Sequence, residues 1–151
     1  MHKLHIIIIS ILTFLTACHP EKELPIITAL DSNWSFRTIN SKTSHPATVP
    51  GNIYSDLIDN SIIEDPFIGD NEFKLQWVSD STWIYQTRFD VSSTILNKEN
   101  IDLNFEGLDT YAQVYLNDSL ILSSNNAFRN YKVPVKDFVL LNNSLSTNNY
   151  A

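Results

Sequence analysis

Apolar and polar positions alternate along much of this chain with the two-residue period of half-buried β-strands. In Trp83-Ile84-Tyr85-Gln86-Thr87-Arg88-Phe89-Asp90-Val91 the alternation puts Trp83, Tyr85, Phe89 and Val91 on one face and Gln86, Arg88 and Asp90 on the other. Ile101 to Glu106 alternates in the same way and stops at Gly107. Ala112 to Leu116 follows, then the turn pair Asn117-Asp118, then Leu120-Ile121-Leu122, the signature of a hairpin. Tyr131 to Val135 is extended, with Pro134 expected at an edge or a strand end. Helical spacing occurs once, where Ile53, Leu57 and Ile58 follow the breaker Pro50-Gly51 and run to Asn60. Ile62 to Gly69 reads as a loop punctuated by Asp65-Pro66. Many short strands, polar turns and one short helix predict an all-β fold, a β-sandwich of jelly-roll type. Trp34, Phe36, Trp83, Tyr85, Phe89 and Phe105 are expected in its core.

The first residues follow a different pattern. A basic start (His2, Lys3, His5) leads into Ile6-Ile7-Ile8-Ile9-Ser10-Ile11-Leu12, shorter than the about 20 apolar residues of a spanning helix. It fits the apolar region of a secretory signal peptide. Leu15-Thr16-Ala17-Cys18 resembles a lipobox, in which small residues precede a cysteine whose thiol accepts a diacylglyceryl group and then becomes the mature amino terminus. Cys18 is the only cysteine, so it is the expected lipidation site and no intramolecular disulfide is available. Acyl chains hold such a protein on a membrane because each buried methylene contributes about 0.8 kcal/mol. The chain thus divides into a signal peptide (1–17), a tether (18–30) and a β-sandwich domain (31–151). Its expected location is exported and membrane-anchored, periplasmic or at the cell surface.

Composition narrows the partners. The 43% hydrophobic and 11% aromatic content suits a globular chain. A net charge of −7 without a Lys/Arg run argues against nucleic acid. Of four histidines, His2, His5 and His19 belong to the leader and tether, and His45 stands alone in a loop. No metal cluster, histidine-based triad or phosphate loop is expected, and no cofactor is implied. Glu64, Asp65, Glu72, Asp80, Glu106 and Asp109 are scattered over turns and strand ends and read as solvated carboxylates; Asp56 and Asp59 are expected on the wet face of the helix.

Three ordered stretches resemble the amino-terminal, galactose-binding-like domain of β-mannosidases in glycoside hydrolase family 2. The first runs from Ala47-Thr48-Val49-Pro50-Gly51 through Asn52-Ile53-Tyr54-Ser55-Asp56-Leu57-Ile58 to Ile63-Glu64-Asp65-Pro66-Phe67. The second comprises Asn71-Glu72, Trp77-Val78 and Trp83-Ile84-Tyr85 to Phe89. The third is Phe105-Glu106-Gly107-Leu108-Asp109-Thr110 with Val114-Tyr115-Leu116-Asn117 and Asn126-Ala127-Phe128-Arg129. Together they cover roughly Trp34 to Leu145.

The resemblance implies an exported enzyme that releases terminal non-reducing β-D-mannose, its partner being a β-mannoside glycan. Retaining hydrolysis needs two carboxyl groups about 5 Å apart, and the resemblance puts both glutamates on a barrel downstream, so no residue here is expected to be catalytic. The family's domain helps wall the sugar pocket, which makes Asn71 and Trp77 the candidate substrate-facing residues: an Asn can bond hydroxyls and an indole can stack on a pyranose. A tryptophan-aspartate-tryptophan-glycine segment of the family is missing. The polar run Ser146 to Ala151 replaces a further apolar strand, so the sandwich is expected to be incomplete at its carboxyl end, with exposed edges. The alternative function is a free-standing, non-catalytic lipoprotein that binds carbohydrate or protein.

Overall fold

The computed structural model describes residues 24–150. The expected signal peptide, Cys18 and the first part of the tether lie outside them. Eight strands and four short helices follow in the order β1 (Ser35–Thr38), β2 (His45–Pro46), α1 (Ile53–Asp59), α2 (Asn71–Lys74), α3 (Gln76–Ser79), β3 (Trp83–Asp90), α4 (Ser93–Leu96), β4 (Asp102–Phe105), β5 (Tyr111–Leu116), β6 (Ser119–Ser124), β7 (Tyr131–Pro134) and β8 (Asn142–Tyr150). Six strands form one antiparallel sheet in the order β2-β1-β3-β8-β5-β6, and β4 pairs with β7 in a second. The expected strands and the helix from Ile53 are all present; the three single-turn helices α2, α3 and α4 add to the one foreseen.

Strand register explains where the core sits. Phe36 lies opposite Tyr85, Tyr85 opposite Thr147, and Thr147 opposite Val114, so these four share one face of the large sheet. Two clusters grow on that face. Phe36, Trp83 and Tyr85 pack with Leu57 of α1, Leu75 between α2 and α3, and Val78 of α3. Val114, Leu116 and Leu145 pack with Val135, Val139 and Val91, and draw in Leu103, Phe105 and Val133 from the small sheet. The helices therefore cover one half of the face and the β4–β7 ribbon the other. Trp34 packs against both clusters, and its indole N–H donates to the Leu30 carbonyl at 2.8 Å. All six aromatic residues expected inside belong to or pack against these clusters.

The polar carboxyl-terminal stretch overturns one expectation. The polar run from Ser146, expected in place of a strand, is itself strand: Asn142 to Tyr150 forms the interior β8, paired with β3 over Asn142 to Asn149 and with β5 over Leu145 to Tyr150. Among its core-facing residues Asn143, Leu145, Thr147 and Asn149, only Leu145 is apolar. Hydrogen bonding makes the polar ones tolerable in part. The buried Asn143 donates from Nδ2 to the Leu140 carbonyl and accepts at Oδ1 from the Leu140 N–H, both at 2.7 Å. Asn117 donates from Nδ2 to that same Oδ1 at 2.9 Å, while its own Oδ1 accepts from the Ser144 N–H at 2.9 Å. The β5–β6 turn, with Asn117 and Asp118 both at positive φ, is thereby fastened to β8. Asn149 is the exception: its Oδ1 is buried without a partner.

Candidate functional site

The segment before α1 and the helix itself are held by a buried carboxylate. Asn52 caps α1, its side-chain oxygen accepting from the Ser55 N–H at 3.0 Å. Asp56, one turn in, is 2% exposed, contrary to the expected wet face. Position 56 falls three residues after Ile53 and next to Leu57, inside the stripe that turns toward β3. Its Oδ1 accepts from the Thr48 N–H at 2.8 Å and its Oδ2 from the Tyr85 hydroxyl at 2.8 Å. Burial, and then the hydrogen bond and negative charge of Asp56, push the Tyr85 hydroxyl well above the ordinary tyrosine pKa. Asp59 is exposed, as expected. His45 is in the short strand β2 rather than a loop, its ring 5.6 Å from that of Phe36.

Beyond α1 the chain turns back at Ser61 and again at Gly69, both at positive φ, a conformation glycine adopts without strain. Asp65 bonds the Phe67 N–H through its side chain at 2.9 Å, a local turn of the Asx kind. The loop then meets α2 and α3, and between them lies a hollow of about 240 Å³. Ile62, Ile63 and Leu75 supply its apolar wall. Glu64, Asn71, Lys74 and Trp77 supply the rest, so the two residues singled out from the sequence stand at one place.

They differ in availability. Asn71 is 6% exposed and its amide is occupied: Nδ2 donates to Glu64 Oε2 at 3.3 Å and to the Asp65 carbonyl at 3.0 Å, and Oδ1 accepts from Lys74 Nζ at 3.2 Å. Trp77 is 42% exposed, with its ring 6.0 Å from that of Trp83. Trp83 is in turn fixed by its indole N–H, which donates to the Val78 carbonyl at 2.8 Å. Glu64 was expected only as a solvated carboxylate, and Lys74 was not singled out in the sequence. The one signal for Lys74 is its spacing of three from Asn71, which sets both on one side of a helical turn.

A second hollow of about 370 Å³ is lined by Arg88, Asp90, Asn117, Asn142, Asn143 and Ser144, without an aromatic surface. Glu64, Asp65, Glu72, Asp80, Glu106 and Asp109 are all exposed. Among the described residues no group of three His, Cys, Asp or Glu could hold a metal ion, and no helix is long and apolar enough to cross a membrane.

Comparison with known proteins agrees with this architecture. Residues 34–149 match the family model described as glycosyl hydrolase 2 galactose-binding domain-like. A probable β-mannosidase of Caenorhabditis elegans is 37% identical over 115 residues, which is 74% of this chain and 12% of that protein. β-Mannosidase B of Thermothelomyces thermophilus is 38% identical over 113 residues, 73% of this chain and 13% of the relative. In the crystal structure of the β-D-mannosidase from Dictyoglomus thermophilum the similar region covers 80% of this chain and 15% of that one, with a TM-score of 0.78 and 38% identity. The chain thus spans about an eighth of the curated relatives it matches. On fold, core and these likenesses together, the chain belongs to the glycosyl hydrolase 2 galactose-binding-like domain family, as a β-mannosidase-like member.

Proposed function

We propose that this chain serves as the sugar-binding-type amino-terminal domain of an exported β-mannosidase-like hydrolase acting on terminal non-reducing β-D-mannose, with the catalytic glutamates supplied from outside residues 1–151. The observation that carries this reading is the match over residues 34–149 together with 37–38% identity to β-mannosidases. The hollow supports it locally, since Asn71 and Trp77 stand together there and are the proposed contribution of this domain to a sugar pocket. The exposed position of Trp77 also suits the second reading, a non-catalytic glycan-binding lipoprotein, because an indole open to solvent can meet a sugar without a barrel beside it.

Export and anchoring are part of the proposal and rest on Leu15-Thr16-Ala17-Cys18. Lipid on Cys18 would make the membrane a partner, with residues 19–30 as the link to the sandwich. Labelled fatty acid fed to cells expressing the chain should be incorporated, and Cys18→Ala should abolish that; equal labelling of the variant sinks the lipoprotein reading. For the hydrolase reading, the DNA following the codon for Ala151 should encode a barrel with paired glutamates, in the same or a shifted frame. An unrelated gene directly after it would leave only the binding lipoprotein.

A further inference from the structure

Of the two residues that the sequence points to, Trp77 is free to meet a ligand in the hollow and Asn71 is not. We propose that Glu64 and Lys74 read the hydroxyl groups of a single neutral hexopyranose stacked on Trp77, and that Asn71 is the positioning residue that holds the two readers. This rests on the proposed placing of a sugar against Asn71 and Trp77, and specifies which groups recognise it and which sugars they accept.

Hydrogen-bond inventory decides the roles. An Asn amide has two N–H donors, and both of Asn71's are spent on Glu64 Oε2 and the Asp65 carbonyl. Its oxygen already accepts from Lys74 Nζ, and at 6% exposure little of the residue can be touched by a ligand. Glu64 and Lys74 are exposed. Glu64 retains its second carboxylate oxygen, and the Lys74 ammonium retains two further donors. Anchored to one amide, they present an acceptor and a donor side by side. Neighbouring ring hydroxyls, each both donor and acceptor, match that pair.

The remaining surfaces fit a sugar ring. Trp77 offers an apolar indole beside the polar pair, held by its contact with Trp83, and Ile62, Ile63 and Leu75 close the wall. A volume of about 240 Å³ lies below the range of about 300–1,000 Å³ usual for drug-sized ligands, so one ring is accommodated rather than an oligosaccharide. Charge sets the selectivity. One carboxylate and one ammonium line the hollow, and they balance. A uronic acid would set a second carboxylate near Glu64, and an amino sugar a second cation near Lys74; each arrangement opposes like charges.

The test is a titration of the full chain followed by nuclear magnetic resonance of the Trp77 indole N–H, whose signal Trp77→Phe identifies. Methyl β-D-mannopyranoside, a methyl hexuronide and methyl β-D-glucosaminide are the probes. The mannopyranoside should shift that signal, and both charged sugars should bind at least fivefold more weakly. Glu64→Gln, whose side-chain oxygen can still accept from Asn71, should weaken mannopyranoside binding at least fivefold without moving the unfolding midpoint; Lys74→Met, which takes the donor from the Asn71 oxygen, should weaken it as much while lowering the midpoint. Lys74→Arg should restore most of the binding, and Glu64→Gln should narrow the penalty against the uronide. If the sugar shifts Trp77 but both variants bind like the parent, the roles given to Glu64 and Lys74 are wrong while the sugar site stands. If no sugar shifts Trp77, both this inference and the underlying placement of a sugar there fail.

Discussion

Tyr85→Phe is the sharpest test of how this fold is held. The substitution removes one oxygen from a side chain that is 8% exposed and leaves the ring packed with Phe36, 5.9 Å away. What is lost is the 2.8 Å bond to Asp56 Oδ2. Asp56 keeps its bond from the Thr48 N–H, so the carboxylate is left half-satisfied in a buried place. A hydrogen bond to a charged group contributes about 1.5–3 kcal/mol, and Tyr85→Phe should cost that much. Asp56→Ala should cost more, about 3–5 kcal/mol, because both the Tyr85 hydroxyl and the Thr48 N–H are then stranded at about 1–3 kcal/mol each and a small cavity is added. Against a total stability of about 5–15 kcal/mol, Tyr85→Phe remains readable even if Asp56→Ala unfolds the chain. Asp56→Asn should fall between them: its oxygen can serve the Thr48 N–H, and its amide can pair with the Tyr85 oxygen only if the hydroxyl hydrogen turns away. Urea unfolding of parent, single and double variants, followed by tryptophan fluorescence, gives the comparison. In the double variant the Tyr85 hydroxyl is already gone, so the two costs should fall short of additivity by at least 1 kcal/mol. A Tyr85→Phe cost within about 0.5 kcal/mol of zero, or strict additivity, refutes the clamp.

Other expectations follow from the same structure. Because the folded-state pKa of Tyr85 is raised, the unfolded chain loses that proton first as pH climbs past about 10. Tyr85's contribution is thus intact below pH about 10 and declines above it by up to about 1.4 kcal/mol per pH unit; alkaline unfolding curves should show this in the parent and less of it in Tyr85→Phe. Leu145→Ala, 2% exposed at the middle of β8, should cost about 2–5 kcal/mol in urea unfolding, and a cost under about 1 kcal/mol would contradict an interior strand. Asn143→Ala removes the side-chain partner of the Leu140 N–H and carbonyl and one of two acceptors of the Asn117 amide, which keeps the Phe138 carbonyl, and should cost on the order of 2 kcal/mol. Trp83→Ala should be far more damaging than Trp77→Ala, at about 3–5 kcal/mol, since Trp83 is 6% and Trp77 42% exposed; equal losses would mean that Trp77 is a core residue.

What the sequence disclosed depended on where side-chain period and chain environment agree. β3 turns Trp83, Tyr85, Thr87 and Phe89 toward the two core clusters and Arg88 and Asp90 toward solvent, so its alternation was readable in the second half of the strand, while Ile84 is buried on the opposite face. The Asn117-Asp118 turn was legible because positive φ at both positions suits those residue types. β8 was hidden because Leu145 alone carries an apolar signal at its core-facing positions; pairing on both sides and the Asn117–Asn143 clasp stabilise a strand that its composition disfavours. Asp56 was misplaced because polarity suggests solvent, whereas its two donors come from residues 8 and 29 positions away. Short helices such as α2 and α3 span too few residues for a 3.6-residue period to register. At the site, motif resemblance brought out Asn71 and Trp77. The bonds from Asn71 to Glu64 and to the Asp65 carbonyl are contacts across a loop that no spacing along the chain encodes, whereas the Lys74–Asn71 bond follows a spacing of three within α2.

The central proposal is that this domain helps to form a sugar site and that the catalytic carboxyl pair is supplied from outside residues 1–151. The most direct measurement is release of 4-nitrophenol from 4-nitrophenyl β-D-mannopyranoside by the purified chain of 151 residues. The expected result is no release above buffer at any protein concentration or pH between 4 and 8, roughly the range in which paired carboxyl groups perform such chemistry. Turnover that scales with the amount of chain, persists through purification to homogeneity and is lost on unfolding would contradict it, and would place a working pair of carboxyl groups within these residues.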